Sequence, residues 1–155
     1  MGLTLEEAQE IISAMLKYAD EKPGRPMSFA VVDEGGALIS FARMDRASRL
    51  TSRVSVNKAY TAIEFRYDTA DIHERLFKGE GKRDVAWFGD PRLAPILGGV
   101  LLTKEEDVKL KVPGITPGRI VGAVGTSGRT AEEDEELARV GANAYQRILK
   151  RRRGE

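Results

Sequence analysis

The chain has 155 residues, a length that fits one domain with one hydrophobic core, so we expect residues 1–155 to form a single domain. Its 25 basic and 24 acidic residues give a net charge of +1, which argues against a nucleic-acid partner. The sequence has no cysteine, which excludes disulfides and thiolate chemistry. The acidic start lacks an export signal, and no apolar run approaches the ~18 residues of a membrane span, so we expect a cytoplasmic protein without a membrane partner.

Capping boxes predict the first and the last helix of the chain. Thr4 and Glu7 precede apolar residues at helical spacing over roughly 5–20. Thr130 and Glu133 repeat this pattern before the C-terminal helix. The acidic first turn and basic last turn of that helix both complement the helix dipole.

The middle of the chain predicts a hairpin and two further helices. Two apolar runs, 27–32 and 37–43, flank a turn with paired glycines and indicate a β-hairpin. An uninterrupted stretch over 48–67 predicts the second helix, and Asp68 or Thr69 can cap a third.

The remaining segments complete an α+β pattern with an antiparallel sheet. Residues 82–95, which include Trp87 and Phe88, predict a packed loop or a short strand. Strands are expected over 100–103 and 119–126, joined by a surface excursion over 104–118 whose tip is a candidate oligomer contact or lid.

Glycines near the second of these strands admit two interpretations. Gly122, Gly125 and Gly128 do not form a nucleic-acid GxxG loop, which joins two helices, nor a dinucleotide-binding fingerprint. Either they let the strand bend and a helix pack closely, or Thr126, Ser127 and free N–H groups of the following helix hold a carboxylate or another polar ligand edge.

Few side chains are candidates for chemistry, and each admits a structural role. His73 is the only histidine; it lacks partners at metal-ligand spacing, so no dedicated metal site is expected. Lys58 is either a buried cation or nucleophile, or a lysine that extends from an apolar face. Arg43 and Asp45 could pair with each other or orient a ligand.

Several segments together resemble the GlcG/HbpS family, once catalogued as a domain of unknown function and often labelled haem-binding or haem-degrading. The resemblance covers nearly the whole chain. The matching segments are 30–33 with Gly35 and Gly36, 41–45, 58–62, 98–100, and 121–125 with Ser127 and Gly128 ahead of Asp134 and Glu135.

The resemblance implies a profilin-like α/β/α arrangement, with a five-stranded antiparallel sheet flanked by helices, and a tendency to form homo-oligomers. Relatives include a haem-binding sensor accessory protein and the C-terminal domain of a corrinoid adenosyltransferase, so haem and corrinoid are candidate cofactors. If haem bound through imidazole, His73 would be its ligand. The resemblance places a ligand cleft among these residues: Arg43, Lys58, Gly98, Gly99, Thr126, Ser127 and Gly128.

Three functions follow as hypotheses. The first is a cytoplasmic small-molecule-binding protein whose ligand is an organic acid, a catabolic intermediate or a tetrapyrrole. The second is a small lyase, isomerase or hydrolase that uses Asp45, Lys58 or Asp134 as its acid or base. The third is an interaction or assembly subunit with a large apolar patch around Trp87, Phe88 and the excursion.

Overall fold

A computed structural model describes residues 2–104 and 119–155. The excursion expected over 104–118 therefore lies, apart from Lys104, outside the described residues. The described elements, in chain order, are α1 Leu5–Glu21, β1 Ser28–Asp33, β2 Leu38–Arg43, α2 Arg49–Phe65, α3 Thr69–Leu76, a 3-10 turn Val85–Phe88, β3 Gly99–Thr103, β4 Ile120–Ser127 and α4 Ala131–Arg152.

Both predicted capping residues begin their helices. The Glu7 amide donates to Thr4 Oγ1 at 3.2 Å, and the Thr4 amide donates back to Glu7 Oε2 at 2.8 Å. The Glu133 amide likewise donates to Thr130 Oγ1 at 3.2 Å. These bonds satisfy amides that a helix start leaves without partners, so the ends of α1 and α4 follow from local sequence.

The strands within the described residues form one antiparallel sheet in the order β2-β1-β4-β3. The predicted hairpin is confirmed: Asp33 Oδ1 accepts from the amides of Gly35 and Ala37, and Gly36 has a φ of +84°. A carboxylate that binds its own turn and a glycine in the left-handed region are the features such a turn requires.

The expected five-stranded sheet is wrong for the described part of the chain, which shows four strands. Residues 82–95 contribute no strand to it and form a loop with a 3-10 turn, but none of them is buried and Trp87 is 71% exposed, so the loop is less packed than expected. Asp84 accepts a hydrogen bond from the Ala86 amide and begins a 3-10 turn, while Pro91 and Pro95 lack the amide donors that a strand ladder needs. The profilin-like classification stays a prediction.

Helices cover both faces of this sheet. α1 and α4 pack on one face and bury the larger apolar cluster, which includes Met15, Phe29 and Leu137. α2 packs on the other face, where Val32 and Ala59 belong to a second cluster, and α3 lies beside it. The order of layers is therefore α/β/α, as the resemblance implied.

Glycine permits the close packing of α2 on β4. A Cβ atom at Gly125 would overlap the carbonyl oxygen of Ser55 in α2. The packing interpretation thus describes this glycine. No helix in the described part of the chain is long and apolar enough to cross a membrane.

Candidate functional site

The predicted residue Lys58 lies at the centre of a closed polar cluster between α2, β4 and α4. Its side chain is 2% exposed. Its Nζ donates to the carbonyl oxygen of Thr126 at 2.8 Å and to Asp134 Oδ2 at 3.0 Å. We call Lys58, Thr126 and Asp134 the Lys58 cluster.

Asp134 also binds the turn that precedes α4. Its Oδ1 accepts from the amide of Arg129 at 2.9 Å, and Thr126 Oγ1 donates to the Asp134 carbonyl oxygen at 2.5 Å. The turn before α4 therefore binds a carboxylate that belongs to the protein itself.

Burial governs the charges of the Lys58 cluster. Loss of solvent lowers the pKa of the Lys58 ammonium group, because burial disfavours the charged form, and the nearby Asp134 carboxylate opposes this shift. Burial likewise raises the pKa of Asp134, against the effect of Lys58 and of the backbone amides. The pair is enclosed and mutually bonded.

Gly98 and Gly99 bring the start of β3 against this cluster. Gly98 has a φ of +118°, and a Cβ atom there would lie 3.0 Å from Lys58 Nζ. A Cβ atom at Gly99 would lie 2.5 Å from the Lys58 carbonyl oxygen. Both glycines therefore serve the contact between α2 and the sheet.

A second charged group fixes the same loop from α4. Glu135 Oε2 accepts from the Gly98 amide at 3.0 Å, and Arg139 bridges Glu135 and Asp68 at 2.9 and 2.8 Å. Burial raises the pKa of Glu135, while Arg139 opposes that shift. The loop before β3 is thus held on two sides.

The structure does not bring Arg43 and Asp45 into the Lys58 cluster. Both are exposed, and an Arg43 guanidinium nitrogen lies 3.4 Å from the Ala47 carbonyl oxygen. Lys58, Gly98, Gly99, Thr126 and Asp134 do meet, and Ser127 and Gly128 follow on β4 and the turn after it.

An open pocket lies elsewhere, between α3, the 3-10 turn and the segment before β3. Its volume is about 530 Å³, within the ~300–1,000 Å³ range typical of small-ligand sites. We call it the His73 pocket. Its lining residues are His73, Phe77, Lys82, Arg83, Asp84, Val85, Trp87, Pro95 and Ile96.

This pocket combines an imidazole, apolar surface and positive charge. His73 Nδ1 lies 3.2 Å from the Pro95 carbonyl oxygen, so protonated Nδ1 can donate to it and leave the Nε2 lone pair free. Trp87 is 71% exposed and Ile96 45% exposed, so both present apolar surface to solvent.

Tyr60 of α2 anchors the chain that forms one wall of the pocket. Its hydroxyl group donates to Asp90, and the Arg92 guanidinium lies over its ring at 3.9 Å from the centroid. The hydrogen bond to Asp90 is the main cause that raises the pKa of Tyr60 to about 12. Thr61 Oγ1 accepts from the Ala94 amide at 2.8 Å, so α2 holds this wall at two points.

Phe77, which lines the pocket, packs against two further aromatic rings. Phe65 of α2 lies 6.4 Å from Phe77 and 5.3 Å from Phe88, between ring centroids. Phe77 and Phe88 are 5.8 Å apart. These separations are within the range of favourable aromatic pairs, so the cluster joins α2, α3 and the 3-10 turn.

Sequence reasoning singled out His73 and Trp87 but did not join them into one site. The pocket residues come from three segments, 73–77, 82–87 and 95–96, that the fold brings together. The sequence feature that could have indicated this pocket was the density of apolar and basic residues in a stretch without regular structure. Among residues 2–104 and 119–155, no three His, Cys, Asp or Glu side chains form a group that could hold a metal ion.

Fold and pocket together define a small three-layer α+β protein with an amphipathic surface cavity. Residues 3–143 match the family described as "Haem degrading protein HbpS-like", and the chain belongs to this family. The resemblance to GlcG/HbpS proteins is therefore confirmed.

Two relatives and two solved structures show the extent of the similarity. The chain is 32% identical over 146 residues to an uncharacterised 15.0 kDa protein of Citrobacter freundii from the dhaT-dhaS intergenic region, with 94% of each chain covered. It is 30% identical over 123 residues to protein GlcG of Escherichia coli K12, covering 77% of this chain and 80% of GlcG.

Among solved structures, Klebsiella pneumoniae ORFY, assigned to the family DUF336, is 28% identical with a TM-score of 0.76, covering 94% of this chain and 92% of ORFY. A complex of PduOC with haem is 22% identical with a TM-score of 0.75, covering 93% and 95%. The similarity to PduOC, at 22% identity, is a similarity of fold alone.

Proposed function

We propose that this protein binds a small amphipathic ligand of the tetrapyrrole class, such as haem, in the His73 pocket. The observation that carries the proposal is the combination of His73, the exposed apolar surfaces of Trp87 and Ile96, and two cations, Lys82 and Arg83, around one cavity. The description of the family and the haem complex of a protein with the same fold support this choice of ligand class.

The residues of the pocket fit the chemistry of haem. An imidazole whose Nδ1 is held by a backbone carbonyl is oriented to offer Nε2 to iron, as in many metal sites. Phe77, Trp87 and Ile96 would contact the macrocycle. Lys82 and Arg83 would attract the propionate groups, while Asp84 already accepts from the Ala86 amide.

The protein's own residues would then bind and orient this ligand. Haem, when bound, would supply an iron centre. His73 would fix its position, and the anchored wall of Pro95 and Ile96 would limit the approach of water. Asp84 places a negative charge beside Lys82 and Arg83 and reduces their attraction for a carboxylate, so these two cations must outweigh it.

A haemin titration tests the proposal directly. Because His73 is the only histidine, a protein without a polyhistidine tag has one imidazole in total. We expect wild type to shift the Soret band to that of imidazole-ligated haem. We expect His73→Ala to lose this spectrum and to bind at least about tenfold more weakly, equivalent to about 1.4 kcal/mol.

Added imidazole should restore the spectrum of imidazole-ligated haem to His73→Ala, since it can enter the space that the substitution leaves. Glu74→Ala serves as control, because Glu74 is the next residue of α3 and is exposed. The control should behave as wild type. Identical spectra and affinities for wild type and His73→Ala would place haemin elsewhere and reject the proposal.

The alternative of a small catabolic enzyme receives less support from this geometry. Lys58 and Asp134 bond to each other inside the protein, and Asp45 is exposed and apart from them. A catalytic pair needs a cavity that a substrate can reach. The single domain over 1–155, the homo-oligomer and the cytoplasmic location stay predictions.

A further inference from the structure

Four exposed arginines surround the start of α2. Arg43, Arg46, Arg49 and Arg53 are exposed, and Asp45 is the one acidic residue between positions 43 and 53. Within residues 2–104 and 119–155 none of the four forms an ion pair. The described residues therefore supply no ion pair that neutralises these four arginines.

Two of these arginines lie on the side of α2 that faces β2. Arg49 and Arg53 precede Tyr60 by eleven and seven residues, spacings that place all three on one helix face. Tyr60 faces the turn between β1 and β2, since a Cβ atom at Gly36 would lie 3.0 Å from Tyr60 Cδ2. Arg49 and Arg53 thus lie on the face of α2 that is turned towards the β1–β2 side of the sheet.

Two residues of β2 lie on the face of the sheet that is turned towards α2. Arg43 pairs with Ser28, whose Oγ lies 2.9 Å from Thr51 Oγ1 of α2, so both residues point towards this helix. Phe41, two residues earlier on β2, points the same way and is 38% exposed. We call the space between Phe41, Arg43, Arg49 and Arg53 the β2–α2 groove.

The helix start adds donors to the groove. Ser48 is the N-cap of α2 but makes no side-chain capping bond, and the first turn has no acidic residue. The first amides of a helix lack partners within it and carry partial positive charge.

A hydroxyl group on the same row of the sheet has no hydrogen-bond partner among the described residues. Ser127 pairs with Ser28 and is 8% exposed, and no hydrogen bond of its hydroxyl group is found in the described part of the chain. Two residues earlier, Gly125 faces α2, so Ser127 faces α2 as well. An unused donor therefore lies beneath the first turns of α2.

From these observations we propose that the β2–α2 groove binds a small organic anion through its oxyanion group. Arg43, Arg49 and Arg53 would bind the carboxylate or phosphate oxygens, as guanidinium groups do. The apolar part of the ligand would lie on Phe41. This site is separate from the His73 pocket, which lies between α3 and the segment before β3.

Thermal denaturation with benzoate, phenyl phosphate and benzyl alcohol, at constant ionic strength, tests this site. The three probes share a phenyl ring and differ in the polar group. We expect benzoate or phenyl phosphate to raise the melting temperature of wild type, because a ligand of the native state stabilises it. Benzyl alcohol should have no effect at equal concentration.

Variants then locate the binding. Arg49→Gln with Arg53→Gln should weaken the response at least about tenfold in apparent affinity, and Ser127→Ala by a smaller factor. Arg147→Gln, on α4 across the sheet, is the matched charge control and should respond as wild type. A stronger response to one anion would identify carboxylate or phosphate as the preferred group.

The proposal is overturned if no anion stabilises wild type, or if the double variant responds as wild type does. To distinguish the two sites, the variants of each site are also measured in the assay of the other site. Arg49→Gln with Arg53→Gln should keep the Soret spectrum with haemin, and His73→Ala should keep the response to the anion.

Discussion

The Lys58 cluster and the His73 pocket both contain the residue types expected of functional sites, but they differ in access to solvent. In the Lys58 cluster, Lys58 and Asp134 are 2% and 4% exposed and bonded to each other and to the backbone. The His73 pocket instead has an open volume of about 530 Å³. Charged groups that satisfy one another hold a fold together, whereas a ligand needs groups that are accessible.

The backbone explains why one region is closed and the other is open. Gly98, Gly99 and Gly125 allow backbone and helix to approach so closely that the Lys58 cluster is sealed. The His73 pocket is open because its wall between residues 85 and 96 is mostly irregular chain tied to α2 by Tyr60 and Thr61. Close packing therefore removes the cavity in one region, and a tethered loop preserves it in the other.

The largest expected effect is that of breaking the closed pair. Lys58→Met should lower the free energy of unfolding by about 3–5 kcal/mol, because it leaves the buried Asp134 carboxylate without its cation. Urea denaturation measures this. Adding Asp134→Asn to Lys58→Met should recover part of the loss.

Lys22→Met is the matched control for that substitution. It breaks the Lys22–Glu136 pair, in which both side chains are 41% exposed, and should cost less than about 1 kcal/mol. If both lysine variants lost equal stability, the contrast between closed and open regions would be incorrect.

A smaller loss is expected from Gly125→Ala, which tests the close approach that seals the cluster. The added Cβ atom would overlap the Ser55 carbonyl oxygen, so α2 must shift at a cost of about 1–3 kcal/mol. Gly35→Ala is the control, since its Cβ atom would meet Asp33 Oδ1 at 3.4 Å and its φ is not positive. Equal melting temperatures for the two variants would contradict the packing role.

The smallest effect concerns the hydrogen bond from Tyr60 to Asp90, which ties the wall of the His73 pocket to α2. The pKa of Tyr60 is raised to about 12 in the folded protein. The protonated hydroxyl group therefore contributes its full stability below the pKa of unfolded tyrosine, near ~10. This contribution is lost as pH rises through the pKa of the folded protein. Asp90→Asn should lower the pKa of Tyr60 and weaken this contribution. The ultraviolet absorbance of phenolate, after subtraction of the Tyr60→Phe titration, measures the change.

Asp71→Asn, on the exposed start of α3, should leave this titration unchanged. A Tyr60 pKa that is the same in Asp90→Asn and wild type would show that Asp90 does not hold the wall.

Local patterns predicted most of the elements because their determinants are close in sequence. The capping box of Thr4 and Glu7 and the Asp33 turn each depend on residues within a few positions. The error in strand number had another origin. The five strands came from the resemblance, while the described residues form four strands.

The sequence by itself determined the helices, the hairpin, the four strands and the family, because periodicity, caps and ordered segments are properties of the chain. Only the tertiary structure decided that Lys58 is bonded to Asp134, 76 positions away, and that Arg43 stays apart from them. It also joined His73 to Trp87 and Ile96 in one cavity. Such contacts depend on how helices cover the sheet, and no local pattern encodes whether the space between them closes or remains open.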